Sequence, residues 1–149
     1  MLTPLAALVG VGVVLTVLGG LVSAVTGPLD LAHGSWLAAY LVLVCGVSQC
    51  AIGLAQEYLG GRRPSRPAAW TQVACWNVGN AAVVVGTLTA TPVIVDLGGL
   101  VLLAALCIAW QTTRAASRRV LAWAYRAVIA VLVISIPVGL VLAAVRNGG

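Results

Sequence analysis

The single histidine of this chain, His33, is the side chain best suited to chemistry. It stands three residues after Asp30, a carboxylate placed to orient the imidazole. A histidine held this way can ligate haem or a metal ion, or titrate with external pH. One histidine supplies one axial ligand, and Met1 is the sole methionine, so haem would need its second ligand from another chain. Zinc or copper would want three or four donors, and none surround His33 in sequence. The competing reading is an interfacial polar residue held by Asp30.

Other candidates form stripes at helical spacing. Gln49 and Gln56 share one stripe with Cys45, and Asn77 and Asn80 share another that continues to Thr87 and Thr91. Such amides either hydrogen-bond across helices, at about 0.6–2 kcal/mol each in a membrane, or line a pocket for a small solute. The pocket reading predicts a water-accessible site between the two stripes. Cys45, Cys50, Cys75 and Cys107 form no CxxC pair and read as small apolar fillers, with a metal or redox role as the alternative. Ser23, Ser35, Ser48 and Ser135 lack a neighbouring base, and Gly10-Val11-Gly12 is no phosphate loop. An enzyme acting alone is not expected.

The elements that position these residues follow from composition. With 62% hydrophobic and 7% charged residues, the 149-residue chain cannot clothe a water-facing surface. A mean hydropathy of +1.12 excludes disorder as well. The fold class is therefore all-α, one integral membrane bundle. Five stretches reach the roughly 20 apolar residues that a ~30 Å hydrocarbon core requires. They lie at about 4–26, 31–59, 68–89, 93–111 and 120–145. Thr26-Gly27-Pro28 ends the first, Asp30 is the expected N-cap of the second, and Thr91-Pro92 opens the fourth after a tight hairpin. Ser117 is placed to cap the fifth, where Pro137 predicts a kink eased by Ser135. Alternating ten-residue segments, the mark of a β-barrel, are absent.

Charge sets the expected orientation. Arg62, Arg63 and Arg66 lie in one loop, and Arg114, Arg118, Arg119 and Arg126 lie in or beside another. Five spans put both loops on one face, which the positive-inside rule makes cytoplasmic, leaving the C-terminus outside. Asp30, His33 and Asp96 fall on the other face, with Arg146 near the C-terminus. Tyr58, Trp70, Trp110, Trp123 and Tyr125 then mark the inner boundary, and Trp36 and Tyr40 the outer. Arg126 either snorkels to the inner surface or pairs with Glu57. A net charge of +5 suits loops beside anionic lipid, and no basic water-facing domain exists to hold nucleic acid. Met1-Leu2-Thr3 has no basic side chain, so the first span is expected to be retained rather than cleaved after Val22-Ser23-Ala24. No span carries a carboxylate near its midplane, which disfavours a proton-coupled exporter.

Small residues give the clearest packing signal. Gly12, Thr16, Gly20 and Ala24 recur every four residues along the first span, with Gly19, Ser23 and Gly27 as a neighbouring row. Gly46, Gly53 and Gly60 repeat at seven in the second span, and Ala82, Gly86 and Ala90 at four in the third. Close backbone approach drives association where no hydrophobic gradient exists, so these rows are expected helix seams, within the bundle or between copies.

From Ala32 to Arg114 a further pattern is present. Ala32-His33-Gly34-Ser35-Trp36 opens one helix, Trp76-Asn77-Val78-Gly79-Asn80 lies in the next, and Gly98-Gly99 leads an apolar helix through Trp110. This resembles short membrane proteins related to a four-helix fragment of haem–copper oxidase subunit I. The resemblance implies that His33 stands where those relatives place a haem or metal ligand, although oxidase subunits use several histidines. The composition, rich in alanine, glycine, valine and arginine without lysine or phenylalanine, also resembles small polytopic membrane proteins of actinobacteria, mycobacteria among them. The leading expectation is a non-enzymatic, multi-pass inner-membrane subunit that assembles with itself or a larger envelope complex. An electron-transfer subunit using His33 is the alternative, and a small-solute carrier the third.

Overall fold

A computed structural model of the protein describes residues 3–58, 64–112 and Ala130. Every element in the described residues is helical. α1 spans Pro4–Thr26, α2 Gly34–Tyr58, α3 Arg66–Leu88 and α4 Pro92–Thr112. The chain divides into two compact units, Met1–Glu57 and Tyr58–Gly149, and the described helices of each form an antiparallel hairpin.

Three of these helices are long and apolar enough to cross a membrane: Pro4–Thr26, Gly34–Tyr58 and Pro92–Gln111. At 23 residues α3 matches α1 in length, but Gln72, Asn77 and Asn80 make it more polar and it is not among the three. The expected fifth span at 120–145, with Ser135 and Pro137, lies outside the described residues, as do Gly60, Arg62, Arg63 and the Arg114–Arg126 group.

Both hairpins begin and turn alike. Thr3 precedes the Pro4 that opens α1, and its hydroxyl accepts from the Ala6 amide at 3.2 Å. Ser65 does the same for α3, accepting from Ala68 at 3.4 Å, with Pro67 in the first turn. Proline is preset for this position, because the first helical amides have no intrahelical acceptor. At the far end of α1, Asp30 takes a left-handed φ of 48°, Leu31 N–H donates to the Thr26 carbonyl at 3.1 Å, and Asp30 N–H to Gly27 at 3.2 Å. At the far end of α3, Ala90 takes φ 51°, Thr91 N–H donates to Gly86 at 2.8 Å, and Ala90 N–H to Thr87 at 3.3 Å. Each is a Schellman stop, a place usually held by glycine. Asp30 therefore terminates the first helix and does not cap the second; His33 stands at the α2 N-cap and makes no side-chain cap.

In the first hairpin the helices touch backbone to backbone. A Cβ on Gly12 would lie 2.6 Å from Cys50 Sγ and 2.9 Å from the Gly46 carbonyl oxygen. One on Gly19 would lie 2.9 Å from both the Ala38 oxygen and the Val42 nitrogen. Gly53 continues the seam against Val9, Leu8 and Leu5. The seats of Gly12 and Gly19 are seven residues apart on α1, whereas their partners, Ala38 to Gly46 and Val42 to Cys50, are eight apart on α2. At 3.6 residues per turn, seven residues return within about 20° of the starting face, but eight overshoot by about 80°. One residue of α2 must be absorbed, and a π segment at Tyr40–Val47 absorbs it, flanked by α geometry at Gly34–Ala39 and Ser48–Tyr58. Ser48 Oγ supports the wide turn by donating to the Leu43 carbonyl, five residues back, at 2.8 Å.

The second hairpin has the same close approach without a bulge. A Cβ on Gly79 would sit 2.9 Å from the Gly98 oxygen, and one on Gly98 2.8 Å from the Gly79 oxygen. Gly86 faces the Val95 nitrogen in the same way, at 2.8 Å. Leu102, Ala105, Leu106 and Ala109 of α4 are fully buried, as are Gln72, Trp76 and Asn80 of α3.

Candidate functional site

The residues singled out by sequence fall into three environments. His33 is exposed, in the turn between α1 and α2, and no hydrogen bond or ion pair joins it to Asp30. Among the described residues no group of three or more His, Cys, Asp or Glu side chains is placed to hold a metal ion. Trp36 stacks on Tyr40 one turn further on, with ring centroids 5.2 Å apart. The four cysteines are free: Cys45 is buried, Cys50 and Cys75 half-buried, and Cys107 exposed on α4. Cys50 makes a thiol contact between helices, its Sγ donating to the Val9 carbonyl at 3.5 Å.

The amide stripes behave differently from each other. Asn77 Nδ2 donates to the Val73 carbonyl and Asn80 Nδ2 to the Trp76 carbonyl, each at 2.8 Å and four residues back on α3 itself. Thr16, Thr26 and Thr87 turn back on their own helices too. Asn77 and these threonines thus find an acceptor on their own helices. Gln49 is the exception. Its side chain is 0% exposed, and neither Oε1 nor Nε2 has a hydrogen-bond partner. Gln56, two turns further along α2, is half-buried.

The small residues of α1 divide sharply. Gly12 and Gly19 are buried in the hairpin, and Thr16 is half-buried beside them. Gly20, Ser23, Ala24 and Gly27 are exposed, so each row spaced at four enters the hairpin seam only at its start, through Gly12 and Thr16 in one and Gly19 in the other. On α3, Gly86 is buried, Ala82 half-buried and Ala90 in the turn.

A different row emerges on the outward side of α1. Ala6, Gly10, Val13, Val17, Gly20 and Ala24 are all exposed, and their spacing alternates four and three. That spacing keeps the six residues on one face over the whole helix, about 130° round from the Gly12 and Gly19 face. Nothing lies within 4 Å of a Cβ built on Gly10 or Gly20. The row also reads alike in both directions: alanine outermost, then glycine, then valine. Sequence reasoning placed Gly20 and Ala24 in one row with Gly12 and Thr16 and did not single out Ala6, Gly10, Val13 or Val17.

Comparison with protein-family models, with curated proteins and with solved structures gives no match for this chain.

Proposed function

We propose that this protein is a non-enzymatic inner-membrane subunit that assembles through the outward face of α1. The observation that carries the reading is the exposed row Ala6, Gly10, Val13, Val17, Gly20 and Ala24, distinct from the glycines already used inside the hairpin. Lipid covers valine and leucine as well as protein does, so apolarity alone selects no partner. Two open glycines on a four-three row do, because they let a second backbone approach and gain dispersion contacts that lipid tails cannot match. The fitting partner is another transmembrane helix, from a second copy or from a larger membrane complex.

In this reading the chain crosses the membrane five times, with α3 as the third span and 120–145 as the fifth. Its arginine loops face the cytoplasm. The helix stops and glycine seams of the two hairpins serve as scaffold, leaving α1 free to dock. Gly10→Leu with Gly20→Leu tests this by filling the open seam while sparing the hairpin. On a native gel in mild detergent the double variant is expected to run smaller than the wild type. Unchanged migration would remove α1 as the interface.

A further inference from the structure

We propose that α2 is a two-register helix, in which the extra residue of the π segment can pass along the helix and exchange Cys50 for Gln49 at the contact with α1. Three features of the first hairpin support this, independently of how the protein assembles. The π segment holds one residue more than the contact with α1 requires, and such bulges concentrate where helices do work. Immediately after it stands Gln49, wholly buried with both amide atoms unpartnered, a costly arrangement for a carboxamide. Next to it, Cys50 occupies the seat facing α1 and offers only a long thiol bond to the Val9 carbonyl, at 3.5 Å.

Moving the bulge toward Tyr58 restores α geometry upstream and turns the residues it passes by about 100°. Each then takes the position now held by its successor. Gln49 enters the seat of Cys50, where its Nε2 can donate to the Val9 carbonyl in place of the thiol. Cys50 moves to the direction now held by Ala51, which is exposed. Against this, Cys45 enters the seat of Gly46, where a Cβ meets Thr16 Oγ1 and would lie 2.9 Å from the Gly12 carbonyl oxygen. The present register is therefore held by the glycine-on-glycine fit, and the other is favoured by the Gln49 amide. Gly46 is the latch.

The distance between the helices reports the exchange. In full-length protein with the four native cysteines replaced by alanine, spin labels are placed at Leu18→Cys and Leu54→Cys and measured in native membranes. Gly46→Ala clashes only in the present register, and is expected to add a second distance to the one seen with Gly46 in place. Deleting Leu43 removes the extra residue and with it the second register, so Gly46→Ala in that background should show one distance. A single distance in the Gly46→Ala chain, the same as in the Leu43 deletion, would overturn the proposal. A second distance in both backgrounds would mean that the added methyl merely loosens the helix pair, and would overturn it as well.

Discussion

Single glycines on α1 carry opposite burdens although they lie two residues apart. Gly12 sits against the Gly46 carbonyl and Cys50, while Gly10 faces open space. Gly12→Leu must therefore push the hairpin apart, at a cost near or above the roughly 1–3 kcal/mol of overpacking a core. Gly10→Leu should leave fold stability within about 0.5 kcal/mol, as at a surface site. Thermal melts of the two variants in one detergent check the contrast, and equal melting points would contradict the seam. Gln49 makes the complementary case. Replacing its unpartnered amide by leucine of similar volume should raise stability by about 1–3 kcal/mol, since desolvation is removed and no bond is lost. A lowered melting point would show that the amide is satisfied. The sequence marked Gln49 as polar within an apolar helix. It could not show that Asn77 and Asn80 find acceptors on their own helix while Gln49 does not, because that depends on the carbonyls within reach of each rotamer.

At the scale of elements, helix ends were legible where a short-range motif sets them. Thr26-Gly27-Pro28 and Thr91-Pro92 stand at the observed boundaries of α1 and α4. Asp30 was misassigned for a physical reason: aspartate serves both as an N-cap and as a tolerable left-handed residue, and the backbone bonds that decide between them are not local to one helix. The π segment was hidden altogether, because it answers a mismatch of seven against eight residues between two helices. The Schellman turn offers a clean test. Ala90 holds φ 51° with a side chain that disfavours it, so Ala90→Gly is expected to stabilise the second hairpin by about 1 kcal/mol. The same change at Ala82, in the interior of α3, should destabilise by roughly that amount. Denaturation of both variants in detergent would reveal whether the signs differ as stated.

For the whole molecule, two hairpins of one design account for the described chain. Each opens with a hydroxyl cap and a proline, runs 23 residues, stops on a non-glycine left-handed residue and returns along a glycine seam. Membrane character was legible from composition alone, and three helices are long and apolar enough to span. The number of crossings was less legible, since α3 combines a spanning length with a polar stripe. What distinguishes the first hairpin is that the exposed face of α1 carries two glycines with open space around them, Gly10 and Gly20, whereas the exposed rows of α3 and α4 carry none. If that face joins helices, Val17 at its centre, 58% exposed, must lie close to a partner. The direct measurement is oxidative cross-linking of Val17→Cys in native membranes, with the four native cysteines replaced by alanine. A disulfide-linked product of about twice the chain mass is expected, or a partner adduct if the contact is to another protein bearing a cysteine there. That product should be lost when Gly10→Leu and Gly20→Leu are added. A Val17→Cys chain that stays monomeric, while Gly20→Cys and Val13→Cys stay monomeric too, would contradict assembly through α1.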